Sequence, residues 1–227
     1  MKYGGAGAYR PRWCTGMTVL VTGAANCWTA AAEMKKVTLD EIMGLERYEQ
    51  ARDECRKRII ALKKHRRVAV GDEITFVFEN HDTRWFQIQE MLRAEHLGDL
   101  DRVREEIEVY NALIPDPSEL SATMLIEITE ESEIRKRLVS LIGIDQAVTM
   151  DVGSGVLVHA EFEAGRSKED KLSAVQYVRF RFSDAARRAF LDRNQPVRLI
   201  IDHPNYRYHA LLDGALRDSL AEDLEAA

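Results

Sequence analysis

Three cysteines in 227 residues, Cys14, Cys27 and Cys55, form an odd set with no CxxC spacing. That excludes a disulfide framework and a sulfur-rich zinc site, and it fits a reducing cytoplasm. No apolar run approaches the roughly 20 residues that span a bilayer, so a soluble protein with no membrane segment is predicted. Glycine is missing where a dinucleotide fold needs it. Residues 19–26, Val-Leu-Val-Thr-Gly-Ala-Ala-Asn, imitate the first strand and turn of a short-chain dehydrogenase, yet Cys27-Trp28-Thr29-Ala30 follows in place of further glycines. An excess of positive charge is absent as well. The formal net charge is −6 with 31% charged residues, which argues against extended binding to nucleic acid or to an anionic membrane. Nor is there a nucleophile elbow: Ser154 stands between Gly153 and Gly155 without the surrounding pattern, and Cys55 has no evident base beside it. Cofactor identity is unspecified by any motif, and whether the chain is an enzyme is undecided at this level.

What is present begins after residue 33. Residues 1–33 are rich in Gly, Ala and Thr, whereas a regular alternation of charged and apolar residues starts at Met34-Lys35-Lys36-Val37-Thr38. The expectation is a non-native or disordered extension over 1–33, such as a misassigned start codon produces, and a single domain over 34–227 with one core. A signal peptide is the rival, since Lys2, Arg10 and Arg12 precede an apolar run at 17–21. That run is short, and Asn26-Cys27 is a poor cleavage context.

Thr38-Leu39-Asp40-Glu41 has the form of a capping box, and Leu45, Tyr48, Arg52, Cys55, Ile59 and Leu62 then recur at helical steps, predicting one long helix ending near Arg67. Its last turns carry many cations, which suit the helix dipole better than they suit RNA. Ile74, Phe76 and Phe78 alternate as a strand with one deeply buried face and Glu79 at its end. Asn80 and Asp82 can start a helix over 83–95, with a hairpin as the alternative. A clean helical stripe of Leu100, Val103, Ile107, Tyr110 and Ile114 stops at Pro115. Strands are expected over 120–128, in two segments within 148–162, and over 173–182, 197–201 and 206–212. A short helix over 132–142 stops before Gly143, and Asp213 caps a closing helix. The pattern predicts an α+β single domain with a mainly antiparallel sheet packed by helices.

Several separated motifs in fixed order carry a resemblance. Glu79-Asn80-x-Asp82-Thr83, Gln87-Ile-Gln-Glu-Met-Leu-Arg93, Tyr110-Asn111-x-Leu-Ile-Pro115, Leu120-Ser-Ala-Thr123, Ser173-Ala-Val175 and Ile201-Asp-His-Pro204 together resemble the bacterial domain-of-unknown-function family 3501 from Met34 to about the C-terminus. The resemblance implies a single-domain protein near rubrerythrin-like or iron–sulfur oxidoreductase partners, in a redox or oxidative-stress setting. His81 stands where the family pattern leads us to expect Arg.

The polar residues set among large apolar ones define the candidate ligand-binding set: Glu79, Gln87, Glu90, Arg93, Asn111, Arg179 and His203. Arg can grip a carboxylate or phosphate with two donors, while Glu90 and His203 are the candidates for moving protons. The same residues can equally form a satisfied network fixing helix against sheet. His203, oriented by Asp202, reads as a general base or as part of a turn set by Pro204. His159, Glu161 and Glu163 alternate on one strand face, which is the ordinary wet face of a half-buried strand, and no metal site is assigned. The functional expectation is an accessory or ligand-binding protein beside an iron or iron–sulfur redox system; the alternative is a small-molecule enzyme using a Glu/Arg/His site.

Overall fold

The computed structural model describes residues 36–225, except 154, 164–166, 169 and 170. Expectations for residues 1–33 lie outside the described residues. The chain runs α1 (Leu45–Lys64), β1 (Arg67–Ala69), β2 (Ile74–Glu79), α2 (His81–Ala94), α3 (Leu100–Asn111), β3 (Glu119–Ile126), α4 (Ile134–Ser140), β4 (Val148–Asp151) and β5 (Leu157–Phe162). A two-stranded ribbon, β6 (Ser167–Lys168) and β7 (Lys171–Leu172), leads to β8 (Val175–Arg181), α5 (Asp184–Leu191), β9 (Arg198–His203), β10 (Tyr206–Leu211) and α6 (Gly214–Glu225).

Eight strands form one antiparallel sheet in the order β1-β2-β3-β8-β5-β4-β9-β10. The sheet curls until its two end strands approach. Tyr206 at the start of β10 donates its hydroxyl hydrogen to the Val70 carbonyl after β1 at 2.7 Å and accepts the Glu73 N–H at 3.0 Å. Gly71, at φ +80°, is required at this closure, because a Cβ there would lie 2.5 Å from the Tyr206 hydroxyl. The concave side holds the main core, including Phe76, Phe78, Met124, Phe180 and Leu199, all fully buried. Leu220 and Leu224 of α6 and Phe190 of α5 pack into it.

A second apolar cluster lies outside the barrel. Tyr48 and Cys55 of α1, Trp85 and Ile88 of α2, and Ile107 and Tyr110 of α3 pack together. Every residue of β2 is buried, a departure from the expected alternation: on its outward face Glu79 lies beneath Arg84 of α2, and Thr75 is covered where it donates to Glu127. Other differences are local. The capping box at Thr38 serves a 3-10 turn, Leu39–Glu41, and α1 starts only after Gly44. Arg67 belongs to β1, and α2 begins at His81 because Asn80 accepts the Thr83 N–H while the Thr83 hydroxyl accepts the Asn80 N–H. Helix α5, capped by Ser183, had no counterpart in the sequence reading. The β6–β7 ribbon lies between the strands expected within 148–162 and over 173–182.

Candidate functional site

On the convex side, β2, β3 and β8 present a polar platform beneath the helices. Pairing sets Glu79 opposite Ser121, Ser121 opposite Arg179, and Thr123 opposite Tyr177, all on one face. Arg84, wholly buried in the first turns of α2, lies over this platform. It donates to Gln87 Oε1 at 2.7 Å and to the Thr123 hydroxyl at 3.2 Å, stands 3.6 Å from Glu79 Oε1, and its guanidinium carbon is 5.3 Å from the Tyr177 ring centre. Thr123 in turn donates to Glu79 Oε1 at 2.8 Å. Glu79 Oε2 and Arg84 Nε have no hydrogen-bond partner among the described residues. The platform thus joins two residues singled out from the sequence, Glu79 and Gln87, through one that was not, Arg84.

The other candidates are placed elsewhere. Asn111 and Arg179 both serve the C-terminal end of α3, with separate partners. Asn111 accepts the Val37 N–H at 2.8 Å and donates to the Val37 carbonyl at 2.9 Å; Arg179 donates to the Ala112 carbonyl and pairs with Glu119 at 2.6 Å. Glu90 and Arg93 share the seam between α1 and α2 but have different partners. Glu90 takes two bonds from Arg52, both 2.8 Å, and one from the Tyr48 hydroxyl at 2.7 Å; Arg93 pairs with Glu49 at 2.6 Å. The Arg52 hydrogen bond holds the Glu90 carboxyl below its ordinary range, while burial and then the Glu90 hydrogen bond push the Tyr48 phenol up. His203 is buried at the far side of the barrel, with Nε2 3.0 Å from the Ile142 carbonyl and Nδ1 accepting the Asn205 N–H at 3.2 Å. One neutral tautomer satisfies both contacts.

His203 therefore shapes the wall of a cleft at one mouth of the barrel. Asn205, held by it, donates to the Ser140 carbonyl at 2.8 Å and so ties the β9–β10 turn to the end of α4. The cleft has a volume of about 730 Å³ and lies between the start of β2, the segment after β3, α4 and Asn205. Its central cation is Arg137, which donates to Glu73 at 2.7 Å and to the Ser140 hydroxyl at 3.3 Å and lies 5.8 Å from the Tyr206 ring centre. Around it stand the carboxylates of Asp72, Glu127, Glu130 and Glu133. Glu127 accepts from Arg67 and the Thr75 hydroxyl, and Glu133 pairs with Lys136. Asp72 and Glu130 make no ion pair among the described residues. The sequence reading missed this cleft. Its only sequence signal was the acidic run Glu127-Ile-Thr-Glu130-Glu131, whose counterpart Arg137 meets Glu73 across 64 positions.

Among the described residues, no group of three or more His, Cys, Asp or Glu could hold a metal ion, and no helix is long and apolar enough to cross a membrane. His159, Glu161 and Glu163 lie exposed on β5 and just beyond it.

The family model described as "Protein of unknown function (DUF3501)" matches residues 36–224. Among solved structures, the chain is similar to a crystal structure from Burkholderia pseudomallei described as a novel protein of unknown function, with 34% identity, a TM-score of 0.78, and coverage of 84% of this chain and 100% of that one. No curated protein matches.

Proposed function

We propose that this protein, which belongs to the DUF3501 family, is an accessory ligand-binding protein that takes a small cation-bearing ligand at the barrel mouth. One observation carries the reading: two exposed carboxylates, Asp72 and Glu130, without an ion-pair partner among the described residues, line a cleft of ligand size. Pockets of about 300–1,000 Å³ hold small molecules, and barrel mouths are a favoured place for them; this cleft falls in that range at about 730 Å³. Arg137 is already occupied by Glu73, so Asp72 and Glu130 remain to attract an ammonium or guanidinium group, while Ser140 and Asn205 lie beside them for neutral polar groups. Titration calorimetry with aliphatic diamines and with dicarboxylates of equal length tests this. Diamines bind and dicarboxylates do not, and Asp72→Asn or Glu130→Gln weakens the diamine about tenfold or more, the loss of one charge-assisted hydrogen bond. Equal or stronger binding of dicarboxylates would refute the reading.

The setting we propose is cytoplasmic, beside an iron or iron–sulfur redox system, with a rubrerythrin-like protein or an iron–sulfur oxidoreductase as partner. Its support is the family resemblance alone. Size-exclusion chromatography of the purified pair tests it, with separate elution at micromolar concentration as the adverse result. An acid–base enzyme built on Glu90, Arg93 and His203 draws no support from the geometry. The first two are engaged in different ion pairs on the helical layer, and His203 has both ring nitrogens on main-chain groups.

A further inference from the structure

His81 opens α2 with both ring nitrogens facing carboxylates. Nδ1 is 3.2 Å from Asp82 Oδ1, and Nε2 is 3.4 Å from Glu41 Oε1. Asp82 belongs to the same helix and is gripped by Arg58 of α1 at 2.6 Å. Glu41 belongs to the 3-10 turn Leu39–Glu41, part of the segment that crosses α2 and α3 before α1 begins. A neutral imidazole has one N–H and one lone pair, so it can donate to only one of these carboxylates and turns its lone pair on the other. An imidazolium donates to both. The arrangement is complete only in the protonated ring.

We infer that His81 is a proton-operated latch: protonated, it fastens the Leu39–Glu41 turn to the start of α2, and neutral, it releases that turn from the small pocket beneath it. The pocket, with a volume of about 20 Å³, is lined by Cys55, Ile59 and Trp85 together with the charged residues of the latch, and has room for about one water. The charged and titratable groups facing His81 are Glu41 from the turn, Asp82 from α2, and Arg58 and the Cys55 thiol from α1. Two carboxylates against one guanidinium leave a negative surplus that the imidazolium cancels. Accordingly, the Asp82 hydrogen bond and the Glu41 charge raise the His81 pKa, against the opposing effect of burial. That moves a group with an ordinary value near 6.5 further toward physiological pH.

Release is local. Asn111 holds Val37 at one end of the segment, and Gln89 holds Met43 at the other, accepting its N–H at 2.6 Å and donating to its carbonyl at 3.3 Å. Neither amide titrates. In the middle, the Trp85 indole N–H donates to the Glu41 carbonyl at 2.9 Å, so it reports directly on the turn.

The test is nuclear magnetic resonance on the ¹⁵N-labelled full chain between pH 5.5 and 9, following the Trp85 indole N–H, the amides of residues 39–42 and the His81 Cε1–H. In the wild type all three shift together, with one midpoint above about 6.5. His81→Arg, which keeps two donors and a permanent charge, holds the low-pH positions throughout; His81→Gln shows the high-pH positions throughout, with barrel-core amides unmoved in both. A flat wild-type profile, a His81 midpoint at or below about 6.5, or a transition that persists in either variant would overturn the inference. The His81 and Trp85 signals of the wild type decide the matter even if a variant does not fold.

Discussion

Arg84 and Glu79 show how much one buried side chain can carry. Both are nearly inaccessible to water, and each leaves one polar atom without a partner among the described residues. Arg84→Met would strand the Glu79 carboxylate in the interior, and the expected loss is about 3–5 kcal/mol in urea denaturation. Adding Glu79→Gln to Arg84→Met should recover part of that loss, because the stranded charge is then gone; a double variant less stable than the single one would contradict the pairing. Glu90 and Arg93 make a contrasting case. Their different partners imply nearly additive effects, with Glu90→Ala the more costly because it removes the acceptor of the fully buried Tyr48 hydroxyl, a deficit of about 1–3 kcal/mol. Glu79 was legible because its neighbours in the strand are large and apolar. Arg84 was not: an arginine in the first turn of a helix is ordinarily solvated, and only β3, β8 and α3, distant in sequence, put it in the interior.

At the scale of elements, the two ends of β2 are anchored by different helices. At its C-terminal end Arg66 donates to the Phe78 and Glu79 carbonyls and to Ser219, and it pairs with Asp223 of α6, so one guanidinium ties strand to helix. Burial pushes the Asp223 carboxyl up against the pull of Arg66. At the N-terminal end Glu73 binds Arg137 of α4, beside the cleft. The segment before α1 is anchored in a third way, by Gln89 on both main-chain groups of buried Met43. Gln89→Ala leaves those groups unpaired, and the expected cost is about 1–3 kcal/mol, with faster amide exchange confined to residues 37–43. Exchange that accelerates across the barrel strands as well would show that the segment is not a separable element. Most of these elements were readable from periodicity. Helix α5 was not, because its eight residues, Asp-Ala-Ala-Arg-Arg-Ala-Phe-Leu, bury little beyond Ala186 and Phe190 and leave no long stripe.

For the whole molecule, the titrating groups divide into two sets of opposite sign. Glu90 and Asp116 lie below the ordinary carboxylate range, held there chiefly by hydrogen bonds from Arg52 and Lys36. Their contribution to stability is present above the unfolded-state value near 4 and is lost as pH falls through the folded-state values. His81 is raised, so its contribution is complete below about 6.5 and disappears as pH rises through its folded-state value. Thermal melts from pH 5 to 9 should therefore show the difference between wild type and His81→Gln shrinking above about pH 6.5; at lower pH the two curves differ as well, because the His81 hydrogen bond is the chief cause that holds the Asp82 carboxyl down. A difference that grows with pH would reverse the assigned sign. Removal of residues 1–33 should leave cooperative unfolding intact, since the described cores draw on Val37 and later residues and the family match begins at residue 36. A broad, non-cooperative transition in the shortened chain would show otherwise.

By itself the sequence determined the α+β class, the antiparallel pairing of most strands and the cap at Asn80, because these depend on periodicity and on hydrogen bonds between near neighbours. It also marked Glu79, Gln87, Asn111 and His203 as polar groups held within apolar surroundings. Only the tertiary structure decided which of them meet. Curling of the sheet brings Tyr206 to Val70, α4 to Glu73, and α2 over Thr123 and Tyr177, pairing residues tens to more than a hundred positions apart. The cleft at the barrel mouth exists only through those closures. Its walls come from the residues just before β2, the segment after β3, α4 and the β9–β10 turn, and a charge acquires its partner, or goes without one, by where the folded chain sets it and not by the residues beside it in sequence.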